Sequence, residues 1–242
     1  MVDVQTGLAW GGILYLKHLW ESWRTHHIGI YGIYGSGKTT LNRYLGTAGE
    51  LEEDEAMETS TVHPYDQKAG RYILPEPSRK RVHVLSEANQ GHRRTILSTD
   101  VGGQIEYFSL WLRDMVNRQV EIVIYLIDSR HDPDFAQAEL FGEFASAVAN
   151  SKYPTKTRKE KKKAKGYRPL VVALVANKSD LWLTDEDKSK YAHIGLHPIF
   201  DPYRKHLIKL QRAGVPTLKR TISALHGYDV ERLVWDCLKA KS

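Results

Sequence analysis

The sequence predicts an α/β domain with a doubly wound, mostly parallel sheet and helices on both faces. Two observations predict it. Short apolar runs bounded by turn residues alternate with longer segments whose apolar residues recur at helical spacing, the pattern of βαβ units. Runs such as Ile122 to Ile127 and Leu170 to Ala176 are apolar almost without interruption, as strands are when helices cover both faces of a sheet. The expected strands are His27 to Ile33, Arg94 to Ser98, Ile122 to Ile127, Leu170 to Ala176 and Leu218 to Ser223. The expected helices are Lys38 to Leu45, Phe108 to Asn117, Asp134 to Ala149, Pro202 to Arg212 and Val230 to Leu238. Ahead of the Arg94 strand there is room for an extended pair, Arg71 to Leu74 and Arg81 to Ser86, joined through Pro75 and Pro77.

With 242 residues, 41% of them apolar and 26% charged, the chain has the composition of a folded protein able to bury a full core. One main domain is expected, residues 26–242, preceded by an extension, residues 1–25. The formal charge of +6 is unevenly spread. Six acids (Glu50, Glu52, Glu53, Asp54, Glu55, Glu58) crowd one stretch, and nine Lys or Arg between Lys152 and Arg168 face the single acid Glu160. The basic run reads as a surface loop between a helix and a strand. Cys237 is the only cysteine, so an internal disulfide is excluded and a reducing, cytoplasmic setting is expected. Gly7 to Leu16, the most apolar early stretch, is about half the length that spans a bilayer. With Val2 after the first Met and Cys237 several residues before Ser242, neither N-myristoylation nor prenylation is expected.

Gly32-Ile-Tyr-Gly-Ser-Gly-Lys-Thr39 matches the phosphate-loop (P-loop) pattern between an expected strand and an expected helix, the context that pattern requires. Gly32, Gly35 and Gly37 let the backbone around Tyr34 and Ser36 curl so that successive N–H groups and the helix N-terminus face phosphate. Lys38 reaches the β- and γ-oxygens, the Thr39 hydroxyl is a Mg²⁺ ligand, and Thr40 completes the motif. Asn177-Lys178-Ser179-Asp180 follows the Leu170 to Ala176 strand. A carboxylate at Asp180 accepts from both the ring N–H and the exocyclic amine of guanine, a donor pair that adenine lacks. Ser223-Ala224-Leu225 ends the last strand, where a backbone N–H can donate to the guanine carbonyl. Asp100-Val-Gly-Gly103-Gln104 ends the Arg94 strand: Asp100 suits Mg²⁺, the Gly103 amide can sense a γ-phosphate, and Gln104 can orient the attacking water.

In this order, with a threonine-containing loop between the first two, these elements resemble the signature of the Ras superfamily of small GTPases, over about Gly29 to Leu238. DVGGQ, Trp111, the stretch Leu126 to Asp132 and the stretch Val175 to Leu181 are most similar to the Arf/Sar branch. The signal-recognition-particle receptor beta subunit and Gα subunits share parts of the pattern. The resemblance implies a P-loop NTPase fold of the Ras-like G-domain kind. It implies GTP and GDP as ligands with Mg²⁺, and slow GTP hydrolysis as a switch in trafficking or polarity. An exchange factor, an activating protein and effectors are the partners it implies. It also implies a switch threonine on Mg²⁺, for which Thr61 is favoured over Thr59 and Ser60, so that Gln104, Lys38 and Thr61 form the catalytic set and Thr39, Thr61 and Asp100 the metal set.

The chain departs from the family in four places: Tyr34 where a small residue is usual, an enlarged segment at 62–93, the basic insertion at 152–168, and Leu225 where lysine is common. Tyr34 keeps open a reading in which GTP is held without cycling and the protein serves as a docking module. Residues 8–23, with Trp10, Trp20 and Trp23, have largely helix-compatible spacing and suit either peripheral membrane contact or packing on the domain or a partner. The basic run at 152–168 suits anionic lipid, an assembly or RNA-associated role, or plain solvation. Because only Tyr153 and Tyr167 interrupt it, no base-stacking platform is expected and nucleic acid is the weaker reading. No dimer surface is legible.

Overall fold

The computed structural model describes residues 25–46, 70–74, 94–100, 103, 107–129, 135–190 and 194–240. Six strands form one sheet: β1 Thr25–Gly32, β2 Gly70–Leu74, β3 Arg94–Asp100, β4 Ile122–Ile127, β5 Val171–Ala176 and β6 Thr217–Thr221, in the spatial order β2-β3-β1-β4-β5-β6. The β3, β1, β4, β5 and β6 strands run parallel to one another, and β2 pairs antiparallel with β3 at the edge. The main helices are α1 Lys38–Gly46, α2 Phe108–Arg118, α3 Phe135–Ala149, α4 Arg158–Ala164, α7 Arg204–Arg212 and α8 Gly227–Ala240. Two short ones, α5 Ser179–Trp182 and α6 Asp185–Lys190, follow β5.

Every residue of β4 and β5 is buried because successive side chains enter two different cores. Val123, Tyr125 and Ile127 pack with Trp111 and Met115 of α2, Phe141 and Phe144 of α3, and Leu207 and Leu210 of α7. Ile122, Ile124 and Leu126 pack on the opposite side with Leu41 and Leu45 of α1 and Val230, Val234 and Cys237 of α8. Helices therefore cover both faces, as expected. Burial pushes the Cys237 thiol up to about 12, so the one sulfhydryl stays protonated.

The first core holds an aromatic stack in which Trp111 meets Tyr125 edge-on at 6.2 Å and Tyr125 meets Phe141 at 4.9 Å. Tyr31 lies among them fully buried, and its hydroxyl donates to Asp114 Oδ2 at 2.7 Å. Asp114 in turn accepts two hydrogen bonds from Arg118, at 2.8 and 2.6 Å. The carboxylate is paired from both sides, so a buried charge is tolerated and α2 is locked over β1.

The largest difference from expectation lies in the basic run, which contains the helix α4. Thr157 caps it: its hydroxyl accepts from Glu160 N–H, while the Glu160 carboxylate accepts from Thr157 N–H. Glu160 is turned inward, where it also accepts from Lys156 N–H at 2.5 Å, from Arg113 at 2.9 Å and, more weakly, from Asn117. The α3 helix begins at Phe135 among the described residues, and the expected Pro202 helix start is instead a 3₁₀ turn, Pro198–Tyr203, that runs into α7. The expected Arg81 to Ser86 strand lies outside the described residues. Among the described residues no helix is long and apolar enough to cross a membrane.

The hydrogen bond from Lys156 N–H, followed by that from Arg113, holds the Glu160 carboxyl down at about 2, against an ordinary 4.5. A depressed carboxyl contributes stability above its unfolded value and loses it as pH falls toward the folded one. Urea unfolding of the wild type and of Glu160→Gln should therefore differ most at neutral pH. The gap should close between pH 4.5 and about 2. A gap that is constant across that range would show that the charge of Glu160 is irrelevant to folding.

Candidate functional site

Strand β1 ends at Gly32 and α1 begins at Lys38, so the chain reverses in five residues at the carboxyl edge of the sheet. Gly32, Gly35 and Gly37 have φ of 135°, 77° and 88°, the region that side chains disfavour. At Gly37 a Cβ would also overlap the Asn177 amide. The turn is drawn inward on its own carbonyls, with the Ser36 hydroxyl donating to Ile33 O at 2.8 Å and the Lys38 ammonium donating to the same oxygen at 2.7 Å. Lys38, Thr39 and Thr40 are buried in the first turn of α1, and Tyr34 projects outward, 60% exposed. The amides opening α1 have no carbonyl one turn before them within the helix, and the helix dipole makes this end positive.

Gly103 closes one side of the turn. Its carbonyl accepts from Tyr34 N–H at 2.9 Å, and a side chain at this position would overlap the Lys38 ammonium and the Ile33–Tyr34 backbone. Asp100 is the last residue of β3, opposite Ile30 of β1. A buried hydrogen bond from the Ser98 hydroxyl to Asn42 Oδ1, 2.8 Å, ties β3 to α1. Gln104 and Thr61, with Thr59 and Ser60, lie outside the described residues, as do residues 8–23.

The other side is closed from β5. Asn177, 1% exposed, donates through Nδ2 to Ser36 O at 2.9 Å and accepts at Oδ1 from Ala224 N–H at 3.0 Å. Lys178 adopts the left-handed conformation, φ 60°, and its ammonium reaches back to Gly35 O at 2.5 Å and lies 4.0 Å from Asp128. Such a backbone is costly for a residue with a side chain, and it turns the chain from β5 into α5. Asp180 stands exposed in the first turn of α5. Ser223 is buried and its N–H donates to Asp229 Oδ2 at 3.1 Å, whereas Leu225 is exposed and its N–H makes a long 3.4 Å bond to Ser223 Oγ. A guanine carbonyl would therefore share the Ala224 amide with Asn177 or take that of Leu225.

The structure thus brings the glycine turn, Gly103, Asn177-Lys178 and Ser223-Ala224-Leu225 together. Three further residues, to which the sequence analysis assigns no role, support the site. Asp128 closes β4 as a buried acid, Asp229 holds Ser223 from the first turn of α8, and Trp182 Nε1 donates to Asn177 O at 2.8 Å. A carboxylate directly after an apolar strand was the readable signal for Asp128; Trp182 had none. The Lys38 ammonium and one helix N-terminus converge on a narrow turn, while the Lys178 charge is faced by Asp128. That arrangement can neutralise a polyphosphate.

Comparison of the chain with models of known protein families finds no match, and comparison with curated proteins finds none either.

Replacing Asn177 by Ala should leave Ser36 C=O and Ala224 N–H buried without their partner, at about 1–3 kcal/mol for each group. Denaturant unfolding would read this as a lower midpoint. An unchanged midpoint would mean that the amide does not hold the two segments together.

Proposed function

We propose that the protein binds guanine nucleotide through a P-loop, within a Ras-like G domain, and hydrolyses GTP to GDP as a Mg²⁺-dependent switch. The observation that carries this reading is the convergence, at the carboxyl edge of a parallel sheet, of a positive-φ glycine turn with Lys38, Gly103 and the Asn177-Lys178 pair. The order β3-β1-β4 makes that edge a switch point, where strands on either side of β1 connect in opposite directions and ligands bind in open α/β sheets. The likeness to the Arf/Sar branch in DVGGQ and in the Val175 to Leu181 stretch supports the same reading.

The α1 amides and the Lys38 ammonium bind and orient the phosphates, and the charge that develops on them during transfer is balanced where the dipole and ammonium already point. Asp180, exposed at the rim, accepts from the two guanine donors. Gln104 orients the attacking water, and the Gly103 amide senses the γ-phosphate. For Mg²⁺ the donor set fits: the Thr39 hydroxyl and the Asp100 carboxylate are hard oxygen ligands. They belong to elements joined by the Asn42–Ser98 hydrogen bond, and Thr61 is the third ligand by resemblance. When bound, Mg²⁺ would supply charge neutralisation to the phosphates.

A second reading is favoured by Tyr34. Its exposed ring stands on the turn, where an arginine from an activating partner would approach. A protein so guarded would hold GTP and act as a docking module.

Lys38→Ala should abolish tight GTP binding measured by displacement of a fluorescent guanine nucleotide. Asp180→Ala should lower the preference for GTP over ATP by about tenfold or more, the value of one or two hydrogen bonds to a charged group. Wild-type affinity in the first, or undiminished selectivity in the second, removes the assignment concerned.

Gln104→Leu should leave GTP binding intact and slow single-turnover conversion to GDP. If wild-type protein keeps GTP for hours, the docking module is the correct reading; if ATP binds as well as GTP, the guanine assignment fails.

A further inference from the structure

A basic run is normally relieved by its own acids or by flexibility, and α4 has neither form of relief. Its single acid, Glu160, faces inward and is neutralised by Arg113, while the capping box starts the helix in a defined place. What remains outside is Lys156, Arg158, Lys159, Lys161, Lys162 and Lys165, all exposed. The two aromatic residues in the run are turned away from this face: Tyr167 is buried with its hydroxyl donating to Val120 O at 2.8 Å, and Tyr153 packs on Tyr167 with ring centroids 5.3 Å apart.

The face also has a definite position. The Lys163 ammonium donates to Asn117 O, and the Lys163 carbonyl accepts from the Gln119 side-chain amide at the end of α2, just before β4 begins. Glu121 then joins the first residues of three strands: its N–H donates to His27 O, its carbonyl accepts from Leu170 N–H, and its carboxylate pairs with His26. So α4 lies at the edge where β1, β4 and β5 begin, opposite the glycine turn where β1 and β5 lead into α1 and α5.

We propose that the exposed face of α4 docks on an anionic lipid surface, with the glycine-turn edge directed away from the bilayer. Lysine outnumbers arginine on the face, which suits diffuse attraction to a charged plane rather than bidentate reading of individual phosphates. No exposed aromatic from the run is offered to a nucleic-acid base. A polybasic patch of this kind binds membranes weakly and reversibly, so attachment through α4 is sensitive to salt. The inference stands apart from the nucleotide reading, because none of its residues belongs to the glycine-turn site.

The test is co-sedimentation of the full chain with vesicles of phosphatidylcholine, with and without phosphatidylserine. Binding should require phosphatidylserine and weaken as salt is raised. The triple variant Lys159→Ala, Lys161→Ala, Lys162→Ala keeps good helix formers and the Thr157–Glu160 cap, and should lose on the order of 10²-fold in partitioning, at about fivefold for each lysine. Salt dependence of the wild type tests the same point without any substitution. Equal binding to neutral vesicles, or undiminished binding by the triple variant, overturns the proposal. So does wild-type protein that ignores the vesicles but binds duplex RNA in a salt-sensitive way, which would assign the face to nucleic acid.

Discussion

A single buried amide holds the candidate site together. Asn177 spans two segments that are 141 and 47 residues away from it in the chain, giving its N–H to the glycine turn and its oxygen to Ala224. Both groups it satisfies are backbone groups with few alternatives: Ser36 is fully buried and Ala224 nearly so. A buried carbonyl or amide left without a partner costs more than a hydrogen bond returns, so the geometry of the turn depends on the position of β5. Lys178 adds a second tie one residue later, at the expense of a strained backbone.

That dependence works because β5 is itself rigidly placed. It lies between β4 and β6, its side chains enter both cores, and its register against β4 runs unbroken from Val171 to Ala176. On the other flank, the Tyr31–Asp114–Arg118 chain fastens α2 across β1. Burial and its paired carboxylate hold the Tyr31 hydroxyl protonated, so it remains a donor throughout the physiological range. The glycine turn is therefore suspended between two strands that cannot shift independently of the cores.

How much of this could be read from the sequence depends on how strongly each segment is constrained by burial. The expected and observed bounds of β4 coincide because polar Glu121 and Asp128 flank an apolar run that is buried on both faces. The β6 strand, Thr-Leu-Lys-Arg-Thr, was placed one residue late at its start and two at its end, since a half-buried edge strand has no clean pattern. The charge of the 152–168 run predicts a loop, and helix α4 forms there because the Thr157-x-x-Glu160 cap starts it. At the site, the glycines and Asn177 were readable because their chemistry requires those residue types at that spacing. Trp182, Asp229 and the fold-back of Lys178 were not, since they are set by tertiary packing rather than by local pattern.

Gly103 has a consequence of another kind. Its contact with the glycine turn is made by main chain alone, carbonyl to amide, in a space where no side chain fits. Most contacts in a protein can be weakened by degrees, through a shorter residue or a poorer fit. This one has no side chain to shorten, so it changes only when the backbone of Gly103 or Tyr34 moves. Sequence drift around the turn therefore reaches the junction indirectly, through residues that shift the backbone on either side of it.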